Sequence, residues 1–105
     1  MIEEITFDNF QEQTASGMSL VILWAPWCAS CKVVRPILER ISEEFKSVSF
    51  NSVNVEEEKA LASALGVTSV PSFVLFEDGK VAATIAGFPG ETELIEKLNL
   101  RKSLL

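Results

Sequence analysis

The chain has 105 residues and a formal net charge of −6, from fifteen acidic and nine basic side chains. That length suits one domain over residues 1–105, and a chain of this size buries roughly 65% of its extended surface, enough for a core without metal or disulfide support. The acidic balance disfavours nucleic acid or an anionic membrane as a partner, since both call for Lys/Arg-rich surfaces, and 48% hydrophobic with 23% charged residues excludes a disordered chain.

Residues 2–6 suit an extended segment. A short helix should follow through Thr14, capped by Thr6 or Asp8, with Phe7 and Phe10 on one face. Gly17 ends that region. Residues 19–24 read SLVILW. Consecutive aliphatics between a turn and Pro26 suit a strand buried on both faces. From Cys28 onward the period changes. Val34, Ile37, Leu38, Ile41 and Phe45 form one stripe of a helix, with Lys32, Arg35, Glu39, Arg40 and Glu43 opposite. Pro36 lies inside the pattern and should kink it.

A second strand is expected over 47–55 and a short helix over 56–65, stopped by Gly66. Asp78-Gly79 between two β-rich runs is a strong hairpin signal. Residues 91–100 suit a last helix with Leu94, Ile95 and Leu98 inward. The order β-α-β-α-β-α-β-β-α predicts a mixed sheet with helices on both faces. Parallel neighbours are expected where helices intervene, with an antiparallel edge from the hairpin. The first ten residues hold no basic region leading into an apolar stretch, and no apolar run approaches the ~20 residues of a membrane span. The expected location is the cytoplasm, where thiols stay reduced.

The chain's two cysteines fall within WAPWCASCK, residues 24–32. Cys28 should stand where the strand ends and the helix begins. Unpaired N–H groups and partial positive charge at a helix start favour a thiolate. Cys31 lies one turn on, within reach of Cys28, and three before Val34, so it should face inward. An exposed, activated thiol beside a sheltered one suits thiol–disulfide exchange. Other uses remain open. A structural disulfide over so short a loop stabilises little. One chain with two cysteines and no histidine cannot complete a zinc site, though two copies could share a metal or cluster.

WAPWCASCK, the PIL of residues 36–38, Ser69-Val70-Pro71-Ser72 with FVLFEDGK after it, and Ala86-Gly87 together resemble the thioredoxin family in order and over nearly the whole chain. The resemblance implies a three-layer α/β/α sandwich, with a mixed central sheet of five strands flanked by four helices. It implies a protein-disulfide oxidoreductase with no bound cofactor or metal, working through a reversible Cys28–Cys31 disulfide. Protein disulfides would be its substrates, and an NADPH-dependent flavin reductase would recharge a monomer. Cys28 would be the nucleophile and Cys31 the resolving thiol. Pro71 takes the place of the family's cis-proline, with Val70 offering its backbone to an extended substrate. Pro26, Trp27 and Ala29 would line the substrate groove, with Gly87 and Phe88 on its far side. Trp24 would belong to the core.

Ala29-Ser30 stands where the family commonly has Gly-Pro. That frees a backbone N–H and adds a hydroxyl, both donors toward Cys28, so Ser30 and Lys32 are expected to tune the thiol. The buried Asp that usually precedes the active site is Ile22, and its Lys partner is Ser52. Both halves of that charge pair are replaced, and no histidine supplies a substitute proton relay. An oxidant or isomerase of narrower specificity, and a binding module with weak redox activity, are the alternative readings.

Overall fold

The computed structural model describes residues 2–105. Five strands and four helices alternate in the expected order. They are β1 (Ile2–Glu4), α1 (Phe10–Thr14), β2 (Met18–Trp24), α2 (Ala29–Glu44), β3 (Ser49–Asn54), α3 (Lys59–Ala64), β4 (Ser72–Glu77), β5 (Lys80–Ala86) and α4 (Glu91–Lys97). The last helix ends three residues before the predicted limit. Asn99 turns left-handed at φ 52°, and a 3₁₀ turn, Leu100–Leu104, follows.

The sheet order is β1-β3-β2-β4-β5. β3 runs parallel to both β1 and β2, while β4 is antiparallel to β2 and to β5. The direction of β4 corrects the expectation that an intervening helix makes parallel neighbours. A six-residue helix such as α3 covers about 9 Å, less than half the roughly 20 Å of a six-residue strand. The chain therefore does not return to the far end of the sheet. It enters β4 at Ser72, opposite Leu23, beside the point where β2 leaves the sheet.

Side chains alternate across β2. Leu20 and Ile22 join Val34, Leu38 and Ile41 of α2 and Leu94 and Ile95 of α4 on one face. Val21 and Leu23 join Val53, Leu61 and Val74 on the other, where Phe10 of α1 also packs. This is the three-layer arrangement expected from the sequence, and SLVILW is buried on both sides. Burying each such side chain stabilises the fold by about 1.5–3 kcal/mol. α2 runs unbroken through Pro36, which stands on its exposed side.

Two local expectations about α1 are corrected. Asn9, rather than Thr6 or Asp8, occupies the capping position, and no side chain caps the helix. Asn9 Oδ1 instead turns back and accepts the Thr6 N–H at 2.8 Å. Phe7 precedes the helix and is exposed, while Phe10 meets Phe76 edge-on at 5.4 Å. The hairpin is as expected, with Asp78 and Gly79 both at positive φ, 51° and 84°. Asp78 also ties the turn to the loop before β2. Its Oδ1 accepts the Gly17 N–H at 2.8 Å, and its own N–H donates to the Gly17 carbonyl at 3.0 Å.

Candidate active site

The C-terminal end of β2 delivers the chain to Ala25, and Pro26 and Trp27 make the turn. Cys28 N–H donates to the Ala25 carbonyl at 3.1 Å, closing that turn. Cys28 is then the N-cap of α2, with extended φ/ψ, and its sulfur accepts the Cys31 N–H at 3.2 Å. A thiol here does what a Ser or Asp does at other helix starts. It satisfies an orphan amide and sits in the positive field of a sixteen-residue helix. Ser30 Oγ lies 3.4 Å from the same sulfur. Of the two donors gained by replacing Gly-Pro, the hydroxyl is in place. The amide that reaches the sulfur belongs to Cys31, an interaction open to any residue at position 30.

Cys28 and Cys31 are joined by a disulfide, with their Cα atoms 5.3 Å apart. The expected contrast in exposure is absent: Cys28 is 6% exposed and Cys31 8%. Both sulfurs sit in a small apolar cluster with Ala25, against Trp24, Val55 and Val70. Capping turns the Cys28 side chain back over the helix end instead of outward, and the bond to Cys31 holds it there. The asymmetry between the two thiols is thus electrostatic. Cys28 receives two donors, while Cys31 lies one turn into the helix.

The remaining expected site residues divide. Pro26, Trp27, Ala29, Ser30 and Lys32 are exposed around the disulfide. Trp27 is 68% exposed, and its Nε1 donates to Glu56 Oε1 at 3.1 Å. Trp27 and Val70 share the wall of a shallow cleft with Val55, Val67 and Ser69. Val70-Pro71 is a cis peptide, and the Pro71 carbonyl accepts the Gly87 N–H at 2.8 Å. Among the described residues, no backbone hydrogen bond takes up the Val70 N–H or carbonyl. Gly87 therefore borders the site through Pro71. Phe88, next to Gly87, is half-buried. It packs on the core, with its ring 6.2 Å from that of Phe73. Trp24 is half-buried rather than fully in the core, and its indole N–H reaches Glu4 at 3.4 Å.

Sequence reasoning missed Glu56 as the partner of Trp27. The only signal was an acidic run just after β3, which by itself reads as a solvated turn. It also missed a cavity of about 200 Å³ behind the disulfide. Ile22 and Ser52, the two departures from the buried charge pair, stand opposite each other on β2 and β3 and both line it, as do Cys31 and Pro71. Among the described residues, no three His, Cys, Asp or Glu side chains are placed to hold a metal ion, and no helix is long and apolar enough to cross a membrane.

Two sulfurs joined across one helical turn, one of them beside two hydrogen-bond donors, can pass between disulfide and dithiol. Comparisons with known proteins agree with that chemistry. The family model described as Thioredoxin matches residues 1–100. A thioredoxin of Listeria monocytogenes is 36% identical over 100 residues, covering 94% of this chain and 97% of its own. One from Buchnera aphidicola is 40% identical over 101 residues, covering 93% and 94%. The crystal structure of Malassezia sympodialis thioredoxin, Mala s 13, superposes with a TM-score of 0.85 at 28% identity, covering 94% of this chain and 89% of that one.

Proposed function

The chain belongs to the thioredoxin family, whose members are protein-disulfide oxidoreductases, and we propose that Cys28 is its attacking thiolate and Cys31 its resolving thiol. The reduced Cys28 sulfur attacks a protein disulfide, and one substrate sulfur leaves as a thiolate. The Cys31 thiol then gives up its proton and attacks the Cys28 sulfur of the mixed disulfide. The second substrate thiolate departs, and the Cys28–Cys31 disulfide is left. Two electrons have passed from the cysteine pair to the substrate. Family membership implies protein substrates and a reductase that returns those electrons. We take that reductase to be a flavin enzyme fed by NADPH. We take the oxidoreductase to be a cytoplasmic monomer built as one domain over residues 1–105.

One observation carries the assignment of roles. The Cys28 sulfur sits at the N-cap of α2 and accepts the Cys31 N–H. A negative sulfur is favoured there and has no such support one turn further in. The low exposure of both sulfurs directs attack to substrates that can enter the site. The unpaired Val70 N–H and carbonyl support docking of an extended substrate segment beside Pro71, as an added strand. Exposed Trp27, its indole held by Glu56, supports an apolar rim for the same segment. The test is reduction of insulin driven by dithiothreitol. The expected result is precipitation of the B chain well ahead of dithiothreitol alone. A rate equal to dithiothreitol alone would leave the fold as a binding module.

A further inference from the structure

Ser72 opens β4, with its backbone set between Leu23 of β2 and Ala86 of β5. The residue is 3% exposed, and its Oγ donates to the Ser69 carbonyl at 2.7 Å. The hydroxyl thus closes the turn Ser69-Val70-Pro71-Ser72 from the side chain, making the link between residues i and i+3 that a backbone amide makes in an ordinary β-turn. Residues 68–70 have little else to fix them. Among the described residues, they form no hydrogen bond from backbone to backbone. The Ser69 carbonyl and the Val70 N–H belong to one peptide group, and that peptide is trans. Its two polar ends therefore point in opposite directions. Holding the carbonyl toward the buried Ser72 hydroxyl turns the Val70 N–H away from it. On the other side of Val70, the Pro71 carbonyl accepts the Gly87 N–H at 2.8 Å.

We propose, on the reading that Val70 receives the substrate as an added strand, that Ser72 is a positioning residue whose hydroxyl aims the Val70 N–H at a substrate carbonyl. It acts through the Ser69–Val70 peptide and not by contact with the reacting sulfurs. With alanine at 72 the Ser69 carbonyl is released to water, and the peptide is free to turn. Substrate binding must then order residues 69 and 70 as well, which costs conformational entropy. The cysteine pair keeps its own donors, because the Cys31 N–H and the Ser30 hydroxyl both come from α2. The loss therefore falls on substrates that offer a peptide backbone and spares disulfides that have none.

The experiment compares two disulfides as substrates: insulin, and bis(2-hydroxyethyl) disulfide, which has no peptide backbone. Ser72→Ala should raise the KM for insulin roughly three- to tenfold and change kcat by less than about twofold. Its rate with the small disulfide should stay at the wild-type value, which also shows that the variant is folded. Ser72→Thr, which keeps the hydroxyl, should restore the insulin KM. A serine with a structural role alone would lower the urea midpoint of Ser72→Ala and leave the insulin KM where it was, and that result overturns the proposal. An equal loss on both disulfides overturns it too, as does a Ser72→Thr variant that behaves like Ser72→Ala. A wild-type protein that reduces neither disulfide would refute thiol–disulfide exchange itself, and the role of Ser72 with it.

Discussion

Replacing Ser30 with Ala removes one atom from the neighbourhood of the Cys28 sulfur, and its effect on the redox potential can be worked out. Ser30 Oγ stands 3.4 Å from that sulfur. In the disulfide the sulfur is neutral and a weak acceptor. Once reduced it carries charge, and the same hydroxyl donates a charge-assisted bond. The donor therefore favours the reduced form and makes the disulfide the better oxidant. Such bonds contribute about 1.5–3 kcal/mol when shielded. Ser30 is exposed and water competes for the sulfur, so about 1 kcal/mol is the better figure. For a two-electron couple, about 1.4 kcal/mol corresponds to about 30 mV. Ser30→Ala should thus move the potential about 20 mV more negative. Ala is the best helix former, so the first turn of α2 stays intact and the shift reports the hydroxyl. The assay is equilibration with glutathione redox buffers at a pH where the reduced Cys28 is ionised. An unchanged or less negative potential would refute the reasoning. The same argument places the wild-type potential above that of relatives with Gly-Pro between the cysteines.

Ile22→Asp places a carboxylate in the cavity wall that residue 22 shares with Cys31. It should speed resolution of the mixed disulfide near neutral pH by at least about tenfold, through general-base catalysis. The cost is about 2–4 kcal/mol of stability from placing a polar group at a site 5% exposed. Ile22→Asn should lose similar stability without the gain in rate. No acceleration by Asp in stopped-flow reduction would contradict the account of the missing relay. Gly79→Ala tests the hairpin. An added Cβ would come no closer than 3.6 Å to Ala15 O, an ordinary contact, so the cost is confined to the left-handed backbone at φ 84°. A loss of about 1–2 kcal/mol in urea unfolding is expected. A neutral result would mean the turn does not depend on Gly there.

The parts of the fold that were legible in the sequence are those set by short-range chemistry. Asp78-Gly79 specifies a tight turn because both residues tolerate positive φ. SLVILW reads as a doubly covered strand because it has no polar side to show solvent. The stripe from Val34 to Phe45 states which side of α2 faces the sheet, and Cys28 at its start follows from Pro26 ending β2. The direction of β4 was not legible, because it depends on how far α3 carries the chain and not on any residue of β4. The cap of α1 was misjudged because Thr6, Asp8 and Asn9 all have side chains able to accept an amide, and only the path of the loop selects among them. The exposure of Cys28 was misjudged for a related reason. Position at a helix start gives a sulfur its electrostatics but not its rotamer, and capping turned it inward. Ile22 and Ser52 were visible as departures, but the cavity they share required the register between β2 and β3.

The division of labour between the two sulfurs is most directly tested by trapping. Cys31→Ser and Cys28→Ser variants, each reduced and mixed with a disulfide-containing protein, are resolved on a non-reducing gel. The account predicts that Cys31→Ser accumulates a stable mixed disulfide through Cys28 and that Cys28→Ser accumulates little or none. Equal trapping by both variants, or trapping by Cys28→Ser alone, would contradict it.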